Sequence, residues 1–386
     1  MEAYLDNSAT TRCSDRACEV MKKVLTEDYG NPSSMHQKGV AAENYLKEAR
    51  INIAKTLKAD EKEIIFTSGG SESNNHALIG SAIANRRFGM HIISTPIEHP
   101  SVRKTLEFLE QWFDFEVSFL PVDKNGLVDL KALASEIRPD TVLVSMMHVN
   151  NEIGCIEPIV EAGSIIKTKN PNTLFHVDAV QSYGKIPVYP SRMNIDLLSV
   201  SGHKIHGPKG SGFLYKREKV KTVPIIFGGG QEFGYRSGTE NVPAIAGMSE
   251  AVTEIFADFE NNTKRLYAIK KRFLEGIAGL EDVTANGSTD EHNGAPQIVS
   301  VSVADVRAEV LLHALEEKKV FVSAGSACSS NKQTQSATLK AINLKNSLLD
   351  STVRFSFSVH TTEEEVDYAI ACLKEIIPNL RKYTRH

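Results

Sequence analysis

Lys204 lies in Ser201-Gly202-His203-Lys204-Ile205-His206-Gly207-Pro208-Lys209-Gly210, directly after the apolar run Leu197 to Val200. An amine held at a strand end among small, hydrogen-bonding residues is placed to form a Schiff base with an aldehyde cofactor such as pyridoxal 5′-phosphate (PLP). A surface loop whose lysines face water is the competing reading, and for Lys209 it is the better one. Earlier in the chain, Asp178 ends another apolar run within His176-Val177-Asp178-Ala179-Val180-Gln181. PLP acts as an electron sink only while its ring nitrogen stays protonated, and a carboxylate at the end of a buried strand can enforce that. Alone, Asp178 reads more readily as a helix cap; the strand-end lysine downstream reverses the preference.

A third cluster, Thr67-Ser68-Gly69-Gly70-Ser71-Glu72-Ser73-Asn74, marks a strand giving way to a helix. Glycines let backbone amides approach an anion and a helix N-terminus favours negative charge, so this is a candidate phosphate cup. It fits neither the P-loop nor the dinucleotide fingerprint, and Gly-Ser turns precede many helices. In Ser351-Thr352-Val353-Arg354-Phe355-Ser356-Phe357, strand alternation sends Val353, Phe355 and Phe357 to one face and Arg354 to the other. A guanidinium fork suits an α-carboxylate, with an ordinary solvent-facing arginine as the alternative. Cys328 sits in a stretch from Ser323 to Thr334 too small and polar to bury a thiol well, which suits a nucleophile. Cys155 and Cys372 fit the buried, inert role better.

The elements that must position these residues are legible as short β-branched runs alternating with helical patterns: Glu63 to Thr67, His91 to Thr95, Thr141 to Met147, Leu174 to Val177, Leu197 to Val200 and Gly212 to Tyr215. That alternation predicts an α/β domain with a mostly parallel sheet, and sites in such sheets gather at the C-terminal strand ends. From about Pro243 the pattern turns helical, through Lys264 to Leu280, and then mixes strands and helices. It closes with a strand from Val353 to Ser358 and a helix opened by Thr362, with Glu365 completing a capping box. The expected division is a large domain over 16–255 and a smaller α+β domain built from 1–15 and 256–386, which carries the cysteine loop and Arg354.

With 386 residues, 41% hydrophobic, the chain has ample material for a packed core. A formal charge of −4 argues against direct nucleic-acid binding, because phosphate neutralisation needs clustered Lys and Arg. No basic segment leads into an apolar run at the N-terminus and no apolar stretch is long enough to span a bilayer, which predicts a cytoplasmic protein without a membrane partner. Five scattered cysteines suit reduced thiols, and no spacing supports a metal site.

Taken together, Asp6-Asn7-Ser8-Ala9-Thr10-Thr11, Gly30-Asn31-Pro32-Ser33-Ser34, Glu98-His99, His148-Val149-Asn150-Asn151-Glu152-Ile153-Gly154, His176-Val177-Asp178-Ala179, Ser201-Gly202-His203-Lys204, Arg236-Ser237-Gly238-Thr239 and Ser326-Ala327-Cys328 resemble, in order, the motif set of cysteine desulfurases serving iron–sulfur assembly and tRNA thiolation. These belong to the class V aminotransferase superfamily. The resemblance implies PLP-dependent transferase fold type I and a homodimer. It implies that Lys204 is the Schiff-base lysine, Asp178 the partner of the ring nitrogen, Gln181 a hydrogen bond to the ring hydroxyl, and His99 a stacking and proton-transfer group. Gly70, Ser71, Ser201 and His203 would hold the phosphate, with Thr239 reaching in from the other subunit, while Asn150 and Arg354 would grip the carboxylate of L-cysteine.

Cys328 would take the sulfur as a persulfide, leaving L-alanine. The related class V readings are an aminotransferase, a kynureninase-like hydrolase and a selenocysteine lyase; Cys328 argues against the first two. A non-catalytic sulfur-trafficking protein is disfavoured by the intact Lys204, Asp178, His99, Arg354 and Cys328. Longer relatives carry a tail that docks an iron–sulfur scaffold, and the stop at His386 makes a dedicated sulfur acceptor, such as a tRNA-thiolation enzyme or one maturation client, comparably expected.

Overall fold

The structure, a computed structural model, describes residues 1–324 and 335–384. In chain order it runs β1 (Ala3–Tyr4), α1 (Asp15–Thr26), α2 (Gln37–Leu57), β2 (Ile64–Thr67), α3 (Gly70–Asn85), β3 (His91–Ser94), α4 (Pro100–Phe113), β4 (Glu116–Phe119), α5 (Leu130–Glu136), β5 (Thr141–Met147), α6 (Ile159–Lys169), β6 (Leu174–Asp178), β7 (Leu197–Ser201) and β8 (Gly212–Lys216). There follow α7 (Val242–Ala257), α8 (Phe259–Ile277), β9 (Val283–Asn286), β10 (Ile298–Val303), α9 (Ala308–Glu317), β11 (Val320–Phe321), β12 (Ser323–Ala324), α10 (Ala337–Ala341), α11 (Asn346–Leu349), β13 (Thr352–Ser356) and α12 (Glu363–Thr384).

Seven strands form the central sheet in the order β2-β8-β7-β6-β5-β3-β4. All pairs are parallel except those made by β8, which runs antiparallel to both β2 and β7. Six strands therefore point the same way. Five of these, β2, β3, β5, β6 and β7, are mostly apolar because both faces are covered, whereas the edge strand β4 is partly exposed. Ile64, Phe66, Val144, Met146, Phe175, Val177, Leu198 and Val200 pack with α1, α2, α6 and α7. The alternate residues Ile92, Leu143, Ile65, Leu197 and Leu214 pack with α3 and α4.

A second core combines Ala3 and Leu5 with side chains from Leu266 to Ile377. It lies beneath an antiparallel sheet, β12-β13-β10-β9. Here Val353 and Phe355 of β13, with Phe357 just beyond, face α8 and α12. β1 pairs in parallel with β11, so the N-terminal residues join this second unit before the chain crosses to the large sheet. The helix α12 opens as expected: Glu365 N–H donates to Thr362 Oγ1 at 3.2 Å and Thr362 N–H donates to Glu365 Oε2 at 2.7 Å.

Phe273 anchors this second core, with its ring 4.6 Å from that of Phe355 and 5.6 Å from that of Phe357. Truncation to Ala should cost about 3–5 kcal/mol of unfolding free energy. Urea unfolding followed by far-UV circular dichroism checks this; an unshifted midpoint would show that the cluster does not hold the unit together.

Candidate active site

Because β2, β3, β5, β6 and β7 run in one direction, their C-terminal ends lie on one edge of the sheet. Thr67, Thr95, His148, Asp178 and Ser201 mark those ends, and the sequence-derived cluster converges there. Lys204 lies on a 3₁₀ turn, Gly202–Lys204, directly after β7. Its Nζ donates to the carbonyls of Ser8 and Ala9, the latter at 2.7 Å. Both acceptors belong to a strap, residues 6–14, that leaves the small unit and runs across the site. The strap is tied at its far end as well: Asn7 N–H and Ser8 N–H donate to Ser356 O and Oγ. Thr11 N–H donates to His203 O and His206 N–H donates to Thr11 Oγ1.

Asp178, 5% exposed, closes β6. Its Oδ1 accepts from Val180 N–H at 3.0 Å, as a turn cap would, but its Oδ2 accepts from Asn74 Nδ2 at 2.8 Å. Asn74 also donates to Ser101 Oγ at 2.9 Å, and Ser101 Oγ lies 2.8 Å from His99 Nδ1. A chain of buried polar contacts thus links Asp178 to His99. Ser101 N–H donates to the same Nδ1, fixing it as an acceptor and leaving the ring proton of the neutral form on Nε2. Burial lowers the His99 pKa; Asp178 opposes and Lys204 reinforces this, so the imidazole is neutral at pH 7. Asn74 and Ser101 had no role in the sequence reading. Asn74 stands in the quoted Gly-Gly-Ser segment, but nothing in one sequence says that it faces Asp178.

The phosphate-cup residues sit where expected. Gly70 and Ser71 form the first turn of α3, whose N-cap, Gly69, offers no side-chain hydrogen bond. Gly69 has φ 149° with ψ −174°, a conformation open to glycine and little else. At Gly70 an added Cβ would come within 2.7 Å of Val180 Cγ2. Buried Ser201 lies beside these glycines. His203 Nδ1 contacts Thr10 Oγ1 at 3.2 Å, and burial, then Lys204, pushes its pKa down to about 4. Gln181 is buried: its Nε2 donates to Ser8 O at 3.0 Å, while its Oε1 has no partner among the described residues. Thr239 is exposed.

Arg354 is buried, 5% exposed, rather than solvent-facing. It donates to Asn151 O and to Asp6 Oδ1, each at 2.8 Å, and its Nε is buried without a partner among the described residues. Asn150 is fully buried: Oδ1 accepts from Glu152 and Ile153 N–H, and Nδ2 donates to Ile97 O. In this conformation both ends of its amide are engaged by the backbone, so Arg354 is the better-placed carboxylate ligand. Cys328 lies outside the described residues. Cys155, buried, donates to Glu157 Oε1 at 3.3 Å, and Cys372 is buried in the second core.

Two further buried groups border the site: Lys185, which the sequence reading does not include, and Glu98, which it includes as a motif member without a role. Lys185 Nζ donates to Lys204 O at 2.9 Å, and burial, then the Lys204 charge, lowers its pKa to about 7. Glu98, beside His99, accepts from Thr95 Oγ1 and Met147 N–H, and burial raises its pKa to about 8.

These residues suit PLP on structural grounds: an uncapped helix N-terminus for the phosphate, a carboxylate at a strand end, buried acceptors on Gln181 and Asn74 that have no partner among the described residues, and an amine on the turn between them. The sequence model of the class V aminotransferases matches residues 3–369. The chain is 43% identical to the cysteine desulfurase IscS of Dictyoglomus turgidum over 98% of its own length and 95% of that protein. It is 44% identical to the mitochondrial cysteine desulfurase of Saccharomyces cerevisiae, over 98% and 76%. The chain belongs to the cysteine desulfurases. Among solved structures, a NifS-like protein matches with a TM-score of 0.92 and 37% identity, over 98% of this chain and all of that one. SspA in complex with cysteine matches with a TM-score of 0.81 and 35% identity, over 93% and 100%.

The Glu98 shift has a definite sign. Between its ordinary value of 4.5 and about 8, the folded protein holds a proton that the unfolded chain has lost, so stability falls with rising pH across that window and levels above it. Glu98→Gln removes this dependence. The variant's unfolding free energy relative to wild type should rise from pH 4.5 to 8 in parallel urea titrations, and a constant difference would refute the neutral carboxyl.

Proposed function

We propose that the chain works as a PLP-dependent cysteine desulfurase in which Lys204, Asp178, His99, Arg354 and Cys328 divide the labour. The observation that carries this reading is the convergence of Lys204, the Asp178–Asn74–Ser101–His99 chain and buried Arg354 at one sheet edge. Lys204 would hold PLP covalently, α3 and Ser201 would receive its phosphate, Asp178 would keep its ring nitrogen protonated, and Gln181 Oε1 would accept from its hydroxyl. When bound, the cofactor supplies an electron sink for the substrate's α-carbon.

The remaining work falls to side chains. Arg354 exchanges Asp6 for the substrate carboxylate, a like-for-like replacement of one anion by another, and thereby orients the amino acid. Neutral His99, with Nδ1 pinned, is available to take a proton at pH 7. The Cys328 thiol takes the substrate sulfur: an S–S bond forms on Cys328 as the substrate's Cβ–S bond breaks, so L-cysteine and a thiol become L-alanine and a persulfide. An unperturbed thiol has a pKa near ~8.5, so proton removal must accompany the attack.

The acceptor is a protein of iron–sulfur assembly or tRNA thiolation. A second copy of the chain would bring Thr239 to the phosphate; the exposed Phe227 and Phe233, which precede it in sequence, are in keeping with that contact. The large unit would span 16–255 and the small one the rest. No helix among the described residues is long and apolar enough to cross a membrane, in keeping with a cytoplasmic enzyme.

Cys328→Ser should keep the cofactor's visible absorption but form no persulfide with L-cysteine; undiminished sulfide release would remove Cys328 from the reaction. Arg354→Ala should raise KM for L-cysteine by tenfold or more, about 1.4 kcal/mol or beyond. Steady-state alanine formation checks this, and an unchanged KM would place the carboxylate elsewhere.

A further inference from the structure

Ser14 caps α1: Ala17 N–H donates to Ser14 Oγ at 3.1 Å and Cys18 N–H donates to Ser14 O at 3.0 Å. This register puts Cys13 immediately before the cap and Cys18 in the fourth helical position. Those are the two positions at which apolar side chains meet across a helix start. Here both are thiols. The register turns the two side chains toward each other across the helix start, and burial first, then Cys18, pushes the Cys13 thiol up to about 11. Cys18 is exposed and Cys13 half-buried, so the pair opens to solvent. Lys209 and Glu254 act electrostatically on Cys13, while Ser14 is fixed by a hydroxyl bond to Glu254 and by N–H donation to His206 O at 2.9 Å. The cap is therefore fastened at several points, and with it the backbone that carries Cys13 and Cys18 on either side of the helix start.

We propose that Cys13 and Cys18 form a dithiol site, separate from the sulfur-transfer chemistry, that binds soft thiophilic ligands by bridging both sulfurs. Two thiols preset at a rigid cap bind a bridging atom with the second bond formed intramolecularly, which single thiols cannot match. A bridge here closes onto the run Thr11 to Ser14, which is hydrogen-bonded to His203 and His206 on either side of the Lys204 turn.

Phenylarsine oxide is the probe. Two As–S bonds form, the As–O bonding is lost, and the oxygen leaves as water with the two thiol protons, with no change in oxidation state. In the full-length Cys328→Ser protein, intact mass should show one phenylarsenic group per chain that survives excess 2-mercaptoethanol and is removed by 2,3-dimercaptopropanol. Cys13→Ser and Cys18→Ser should each reduce the retained group from one to none. Trypsin cuts after Arg16, between the two cysteines, so the adduct of the otherwise unsubstituted chain should link the peptide of Cys13 to that of Cys18, a readout that needs neither cysteine replaced. Loss of the group to monothiol, retention in both serine variants, or the absence of linked peptides would overturn the site.

Discussion

The Lys204 ammonium, held on the carbonyls of Ser8 and Ala9, is the contact on which the rest of the site depends. Its donor comes from the turn after β7 and its acceptors from a strap anchored in the second core, so one cation fastens the two units over the sheet edge. Each carbonyl offers the amine one acceptor, and a hydrogen bond of this kind contributes about 0.5–1.5 kcal/mol net. The backbone on the other side is secured by Lys185, whose own charge is disfavoured by burial.

Burial sets the charge state of most of the surrounding groups. His176, fully buried between Ser145 and Ser199, and His148 are neutral, their pKa values lowered to about 3 and about 4 by desolvation. Glu98 is protonated at neutral pH for the same reason. Against this neutral background Lys204 and Asp178 both reach His99 electrostatically. Glu72 at the α3 N-terminus shows the opposite balance: burial alone would raise its pKa, but hydrogen bonds from Arg236 and Ser68 hold it below the usual carboxylate range.

The strand ends were legible because buried parallel strands are apolar runs that stop abruptly at polar residues, and Asp178, Ser201 and Lys204 stand at such stops. The reversal of β8 was not, because Gly212–Lys216 is covered on both faces and reads like its neighbours. Arg354 was placed correctly on the face opposite Val353 and Phe355, but its pairing with Asp6 spans most of the chain and leaves no local trace. Asn74 and Ser101 escaped for a related reason: an Asn or Ser near a helix start is ordinarily a capping residue, and only the third dimension turns Asn74 toward Asp178 and Ser101 toward Asn74 and His99. Asn150 is legible as a motif member, but that its amide oxygen bonds its own turn while its amide nitrogen reaches Ile97 O leaves no trace in the sequence.

The strap has a consequence for how the protein is made. Asn7 bonds to a carbonyl 349 positions later in the chain, so its partner leaves the ribosome long after it does. At roughly 5–20 residues per second, that separation amounts to tens of seconds of synthesis. Through that interval the large sheet can form while residues 6–14 have nowhere to dock on the second unit, and the lysine turn lacks its lid of carbonyls. Closing so long a loop is a late, non-local event. The sheet edge that carries Lys204 therefore receives its lid of carbonyls in final form only after Ser356 has emerged.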